Sequence, residues 1–267
     1  MKKVFLLLLC LVMFGLVGCA QKGQPLVKND SAFERWQNFK AKTSGAGAYD
    51  VLSGSLRFGP ADDTKRVTYT LWSEAAEIQV GKESPRRNER IIRIEIGAGI
   101  GGSVGKMRIA DGGLTLLLPK EGRIYVGSSS DSNLRRLLGL SLPFSVQSLN
   151  DFLAGRLFLA LDEPLPERYE TQEDGGIVYR CKTKDGTSEL ELDARSLPVR
   201  LDLRDGWKLE VAYDDSGLPS KISGWVETAS GEQRLVMHVK ERRPASSVSA
   251  SSFGLTIPAG FTVYSLD

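Results

Sequence analysis

The sequence is poor in the side chains that bind metals and carry nucleophilic chemistry. It contains one histidine and three cysteines in 267 residues. A zinc shell takes four ligands, drawn mainly from these two residue types, so we predict no metal site. No Gly-x-Ser-x-Gly elbow and no catalytic-cysteine signature accompanies His238, which we place on the solvent side of a strand. We therefore predict a chain that is not an enzyme and has no cofactor.

The sequence also lacks a net charge of either sign. Lys and Arg number 35 and Asp and Glu number 33, and removing Lys2 and Lys3 with a cleaved leader leaves 33 of each. Nucleic-acid-binding domains carry a basic patch, and segments that bind anionic lipid are polybasic. Neither feature is present, so nucleic acid is not a predicted partner.

Two further patterns point weakly to chemistry. Gly97, Gly99 and Gly102 fit the Gly-x-Gly-x-x-Gly spacing of a dinucleotide site, but residues 103–110 alternate like a strand, where that site needs a helix. Pairs such as Asp214–Asp215 lie at turn signals, where Asp binds its own backbone. A glycosidase pair that forms only in space is the remaining catalytic alternative.

Residues 1–18 have the pattern of a signal peptide. Lys2 and Lys3 precede an apolar run over residues 4–17, which is too short to cross a bilayer comfortably. The run ends in Leu16-Val17-Gly18-Cys19, which resembles the lipobox of bacterial lipoproteins. The resemblance implies cleavage after Gly18 and a diacylglycerol on Cys19, whose acyl chains anchor the protein to a membrane. The alternative is a secretory signal in which this cysteine is incidental.

The residue after Cys19 is Ala20 rather than Asp. In the sorting rule of such lipoproteins Asp favours retention in the inner membrane, so Ala20 favours the outer membrane, with the protein facing the periplasm. Cys10 leaves with the leader and Cys19 carries lipid, so Cys181 is a lone thiol. It alternates with Ile177 and Tyr179, which predicts a buried, inert side chain.

Residues 19–30 are polar and contain Pro25, which predicts a tether, and residues 31–267 form one domain. Ser31-Ala-Phe-Glu34 is typical of a capping box, and it opens a helix to about Lys42. Period-two alternation then predicts a series of short strands. These strands are expected at residues 49–58, 65–73, 90–96, 105–110, 113–118, 123–126, 176–183, 187–193, 199–203, 207–213, 218–227 and 232–241.

Two short amphipathic helices interrupt this strand series. Residues 131–138 place Leu134 and Leu137 on one face, with Asp131 or Ser132 as the cap and Gly139 as the stop, and residues 148–154 form the second helix. We predict a mainly β fold with an α lid: a curved antiparallel sheet that forms an incomplete half-barrel closed by short helices.

Several motifs together resemble the LolA/LolB family of periplasmic lipoprotein carriers. Residues 138–155 contain a Gly, a Pro, a short helix with a bulky aromatic and a closing Gly, which is similar to a stretch in that family. Residues 69–72 end an aromatic strand in Trp, and residues 207–213 precede a strand with Pro219. LolB is the closer match, although residues 257–261 look more like a LolA tail. Residues 78–88 are an insertion relative to LolB.

The resemblance implies that the chain binds lipoprotein acyl chains, receives them from a periplasmic carrier of the LolA type and inserts the lipoprotein into the outer membrane. It also implies an exposed apolar residue in a loop between two strands. Ile100, the only large side chain in residues 97–102, is our candidate, with Ala98 and Val104 beside it; an incidental Ile at a hairpin tip is the alternative.

The predicted acyl cavity lies between one face of the strands and the lid helices. Alternatively the same residues fill an ordinary core. The candidate lining residues are Tyr69, Leu71, Ile92, Ile94, Leu116, Leu118, Leu134, Leu137, Phe152 and Leu153. Two other functions stay open at this point: a structural or envelope-assembly lipoprotein of the same fold, and a carrier of glycolipid or another envelope lipid.

Overall fold

The computed structural model describes residues 23–27, 30–44, 49–73, 91–98, 102–139, 142–183, 186–203, 205–244 and 250–267. It contains four α-helices in these ranges: α1 (Ser31–Thr43), α2 (Asp131–Leu138), α3 (Val146–Leu153) and α4 (Leu157–Ala160). A 3-10 turn spans Ala250–Phe253. The strands are β1 (Gln24–Pro25), β2 (Tyr49–Pro60), β3 (Lys65–Ser73), β4 (Ile92–Ala98), β5 (Gly102–Ala110), β6 (Gly113–Leu118), β7 (Arg123–Ser128), β8 (Leu165–Thr171), β9 (Ile177–Thr183), β10 (Gly186–Leu192), β11 (Pro198–Asp202), β12 (Lys208–Tyr213), β13 (Pro219–Thr228), β14 (Gly231–Pro244) and β15 (Thr262–Ser265).

All fifteen strands belong to one long, curved sheet that does not close into a barrel. The strand order is β1-β8-β9-β10-β11-β12-β13-β14-β2-β3-β4-β5-β6-β7-β15, so β14 beside β2 joins a C-terminal half to an N-terminal half. The predicted half-barrel class is confirmed. The sheet is antiparallel as predicted except at one edge, where β15 runs parallel to β7.

The turns follow the Gly signals of the sequence. Asp111 and Gly112 between β5 and β6 have φ of 52° and 73°, the left-handed pair that a two-residue hairpin of type I′ needs. Asp214 Oδ1 accepts from the backbone N–H of Ser216 and Leu218, each at 3.0 Å, so this carboxylate stabilises its own turn as predicted.

The helix caps differ from two sequence predictions. Asp30, not Ser31, caps α1: its Oδ1 accepts from Phe33 N at 2.6 Å. The predicted Ser31–Glu34 capping box is therefore wrong, because the third helical residue after this cap is Phe33, which cannot bond back to it. Ser130, not Asp131 or Ser132, caps α2. Gly139 ends α2 with φ of 71°, as predicted, because the left-handed conformation suits a residue without Cβ.

The inner face of the sheet carries the core. One contiguous cluster of buried apolar side chains covers this face and the helices packed on it. Trp36 and Phe39 of α1 meet Phe158 of α4 and Tyr179 of β9, with ring centroids of Trp36 and Tyr179 5.0 Å apart. The Tyr179 hydroxyl donates to Ala32 O at 2.7 Å. This aromatic group fixes α1 and α4 against the C-terminal half of the sheet.

The sequence prediction missed four elements, β1, α4, β8 and β15. Strand β8 contains Pro166 and three charged residues, and it lacks a clean apolar alternation. Strand β1 lies in the predicted tether and pairs with β8 through Gln24–Tyr169 and Pro25–Arg168. The Ser-rich stretch at residues 246–252 includes the start of the 3-10 turn. The predicted insertion at residues 78–88 lies outside the described residues.

Among the helices that the structure describes, none has the length and apolar character needed to cross a bilayer.

Candidate functional site

The inner face of β3 to β6 is built from apolar rows that cross the strands. Because side chains alternate between faces, directly paired residues share a face. The row nearest the end of β3 is Ser73–Ile92–Ile109–Leu114, and each member is at most 2% exposed. The next row is Leu71–Ile94–Met107–Leu116. The sheet thus presents a continuous apolar surface to the helices.

The cover on this surface thins toward the β2–β3, β4–β5 and β6–β7 turns. Ile94 and Leu118 are only partly buried, as are Leu56 and Phe58 on β2. Ile96, paired with Tyr69, is also partly exposed. Covering exposed apolar surface of this kind with another apolar group lowers the free energy of the system. We call the region defined by Leu56, Phe58, Ile94, Ile96 and Leu118 the open shelf.

Helix α3 packs on the middle of the inner face of the curved sheet. Every residue from Ser148 to Leu153 is buried, so the helix contacts protein on all sides. The buried carboxylate of Asp151 accepts from Arg156 Nε at 2.8 Å, which fixes the corner between α3 and α4. Asn150 is fully buried, and its side-chain amide has no hydrogen-bond partner among the described residues. An unpaired buried amide costs about 1–3 kcal/mol.

The structure brings all ten predicted lining residues to one core cluster. Seven are at most 6% exposed, and Ile94, Leu118 and Leu137 are partly buried. In this conformation they pack against one another and against the lid helices. Their contact with a lipid stays a prediction.

Two predicted functional residues lie outside the described residues: the lipidation site Cys19 and the loop residue Ile100. The residues predicted beside that loop are exposed. Ala98 ends β4, and Val104 on β5 is 38% exposed. Both roles therefore stay predictions.

The side chains with the greatest potential for chemistry, His238 and Cys181, lie where the sequence predicts. His238 is exposed on β14 between buried Met237 and partly buried Val239, which confirms its predicted orientation. Cys181 is buried, as predicted, and burial raises the pKa of its thiol, which suppresses reactivity. Within the described ranges no group of three His, Cys, Asp or Glu side chains is arranged to hold a metal ion.

The C-terminal segment forms a joint with α2 that the sequence did not reveal. Asp267 Oδ1 accepts from Asn133 Nδ2 at 3.0 Å, and Oδ2 accepts from Ser128 N at 2.9 Å. These hydrogen bonds, Asn133 first, lower the pKa of Asp267. A Cβ on Gly127 would lie 2.7 Å from Leu266 Cβ, so only glycine admits this close approach. A lid helix and the sheet edge are thereby tied together.

The same segment crosses the outer face and frames a groove there. This groove of about 420 Å³ lies between residues 253–257 and Ile91, Arg108 and Thr115. Ile257 and Val263 nearby are 56% and 63% exposed. The tail carries no regular alternation, so neither the groove nor β15 was predicted.

No family model matches the sequence. No curated protein matches it either. Solved structures do: a DUF1329 family protein from Desulfovibrio piger superposes with a TM-score of 0.57 at 13% identity, covering 85% of this chain and 98% of that one. A LolA superfamily protein from Nitrosomonas europaea gives a TM-score of 0.53 at 13% identity, with 82% and 97% covered. An outer-membrane lipoprotein-sorting protein domain from Vibrio parahaemolyticus gives 0.51 at 14%, with 82% and 94% covered. This chain therefore has the LolA-like fold.

Proposed function

We propose that this chain is a lipoprotein of the bacterial envelope, anchored to the outer membrane through Cys19, that binds the acyl chains of other lipoproteins and helps insert them into that membrane. The observation that carries the proposal is the open shelf. It is an apolar extension of the core that the lid helices leave partly uncovered. The LolA-like fold supports the same reading.

Binding in this account is driven by burial of apolar surface and needs no cofactor. Each methylene moved from water contributes about 0.8 kcal/mol, so two or three acyl chains supply ample free energy. Entry of a whole chain requires α2 and α3 to move off the inner face, because Leu134, Phe152 and Leu153 fill that space in the present conformation. The shelf is the site of first contact, and the lid opens from there.

The second candidate is a structural or assembly lipoprotein that holds a protein partner. Two features favour it: the lid helices fill the inner face of the sheet, and the outer face carries the exposed apolar residues Val126, Ile257 and Val263. Under that candidate the inner face never opens. A carrier of glycolipid would use the inner face in the same way as a lipoprotein carrier and would differ only in the ligand.

A transfer assay separates these functions. The soluble form with Cys19→Ser is mixed with a lipoprotein held by a periplasmic carrier, and transfer to this chain and then to liposomes is followed by pull-down. We expect the wild type to accept the lipoprotein. We expect Ile100→Glu to accept it and fail at release. Ser103→Glu, a neighbouring exposed position, is the control. A wild type that accepts nothing contradicts the carrier function, and acceptance of glycolipid alone identifies the related carrier.

A further inference from the structure

The first residue that the structure describes, Gly23, comes shortly after the proposed lipid anchor in the sequence. Arg168 Nε donates to Gly23 O at 3.0 Å, and Gln24 pairs with Tyr169 in the β1–β8 ladder. The Tyr169 hydroxyl donates to Gln24 Oε1 at 3.2 Å. Gly23 has φ of 94°, and a Cβ there would lie 2.9 Å from Tyr169 O. Backbone and side-chain contacts to Arg168 and Tyr169 therefore hold Gly23 and Gln24 against the edge of the sheet.

Three residues separate Cys19 from Gly23 in the sequence. A chain spans at most about 3.6 Å per residue, so four steps reach about 14 Å. A lipid on Cys19 lies in the membrane interface. The maximum reach of the linker therefore keeps Gly23, just before β1, within about 14 Å of that interface. A domain of this size on a long linker would take any orientation; on this linker, the edge formed by β1 and β8 must face the membrane.

This edge carries two of the most exposed apolar side chains in the described part of the molecule. Leu165, the first residue of β8, is 66% exposed, and Val27 is 59% exposed. Beyond the Pro25–Arg168 pair, the antiparallel direction of the ladder leads from Pro25 through Val27 toward the end of β8 that begins with Leu165. Leu26 packs against the core, and Val27 O accepts from Asp30 N at 3.3 Å, which holds Val27 in place at the surface.

We propose that the β1–β8 edge, through Val27 and Leu165, rests on the lipid leaflet that holds the Cys19 anchor. This inference rests on the proposed lipidation. Two apolar side chains are too small a surface to bind lipid from solution, but the anchor raises their effective concentration at the leaflet. The contact fixes which edge of the sheet faces the membrane; β15 forms the other edge.

The test uses the full lipidated chain in liposomes. Leu165→Cys is labelled with a small fluorophore, and quenching by lipids with a nitroxide near the headgroup is measured. The matched control is Val263→Cys, because Val263 is 63% exposed and lies on β15 at the other edge. Cys181 is buried, so the unsubstituted protein reports its background labelling. A third form carries twenty Gly and Ser residues inserted between Lys22 and Gly23.

We expect at least threefold more quenching at position 165 than at position 263, and we expect the long insertion to reduce it to the level of position 263. Equal quenching at the two positions would overturn the proposal. Quenching at 165 that survives the insertion would overturn the role of the short tether. Shielding that depends on protein density and not on the nitroxide would indicate a second copy and would also overturn it. The mass of the purified protein shows acylation independently, and lipoprotein transfer in the same liposomes tests the proposed function separately.

Discussion

The hydroxyl of Tyr69 on β3 donates to the backbone carbonyl of His238 on β14, 3.2 Å away, across the intervening strand β2. Gly54 is the residue of β2 that pairs with Tyr69, and it has no side chain to block this hydrogen bond. Strand β14 is irregular at the same point, between Val239 and Glu241. The bond thus ties together three strands at the junction between the two halves of the sheet.

A side chain at position 54 would break this junction. A Cβ on Gly54 would overlap the carbonyl oxygen of His238 and lie 2.9 Å from the Tyr69 hydroxyl. We expect Gly54→Ala to lower the free energy of unfolding by about 3 kcal/mol, because the backbone of neither strand can yield cheaply. Gly254→Ala is the control, since its Cβ would meet nothing closer than 3.5 Å and the expected change is within about 0.5 kcal/mol. Urea unfolding measures both; similar midpoints for the two variants would refute the steric argument.

Alkaline pH is expected to destabilise the fold. Burial raises the pKa of Tyr69, Tyr179, Tyr213 and Cys181 above their ordinary values. The folded state therefore holds protons that the unfolded state loses, so stability is complete below the unfolded pKa values and declines as pH rises through about 8.5 for Cys and about 10 for Tyr. We expect Tyr179→Phe to make the decline between pH 9 and 11 shallower. A free energy of unfolding that is flat or rising over this range would show that the account of these groups is wrong.

Two buried asparagines should respond in opposite ways to the same substitution. Asn133 is 2% exposed and its Nδ2 donates to Ser128 O at 3.1 Å and to Asp267 Oδ1 at 3.0 Å. We expect Asn133→Leu to cost about 2 kcal/mol, because it leaves these acceptors without their donor. Hydrogen exchange of the β15 amides should accelerate at the same time, since the joint holds that strand. Unchanged exchange would mean that the joint does not fix the edge.

Asn150 is fully buried, and no described residue satisfies its amide. We expect Asn150→Leu to raise the free energy of unfolding by about 1 kcal/mol, because it removes an unpaired polar group and keeps the number and branching of the side-chain heavy atoms. The measurement is urea unfolding, with the same dependence of the unfolding free energy on urea concentration in the wild type and the variant. A loss of stability would show that the amide has a partner, such as a buried water, that the substitution removes.

The sequence predicted the parts of the fold that alternation and turn chemistry determine. Strand β3 and helix α2 have the predicted boundaries, and the open half-barrel follows from the strand series. Strands β8 and β15 were missed because tertiary pairing, not local sequence, makes them strands: β8 carries a proline and three charges, and all four side chains of β15 are exposed. No local pattern distinguishes such segments from loops.

The sequence predicted which apolar residues come together at the candidate site but not how far each of them is covered. The ten lining residues were found because they lie on the apolar side of alternating strands or helices. No local pattern indicates that Ile94 and Leu118 are less covered than Leu71 and Ile92, since coverage depends on where the lid helices lie. The joint between Asn133 and Asp267 joins residues 134 positions apart, beyond the reach of any local motif.

The most direct test of the proposed function is binding of a diacylated lipopeptide to the soluble form with Cys19→Ser, measured by native mass spectrometry and by titration against the same peptide without acyl chains. The proposed function predicts binding of the acylated peptide alone. It also predicts that Leu118→Glu on the open shelf weakens binding about tenfold or more, since a buried leucine contributes about 1.5–3 kcal/mol. Val126→Glu, at a 41% exposed position on the outer face, should bind as the wild type does. No binding by the wild type, or an equal loss in the two variants, would contradict the claim that the inner face receives lipid.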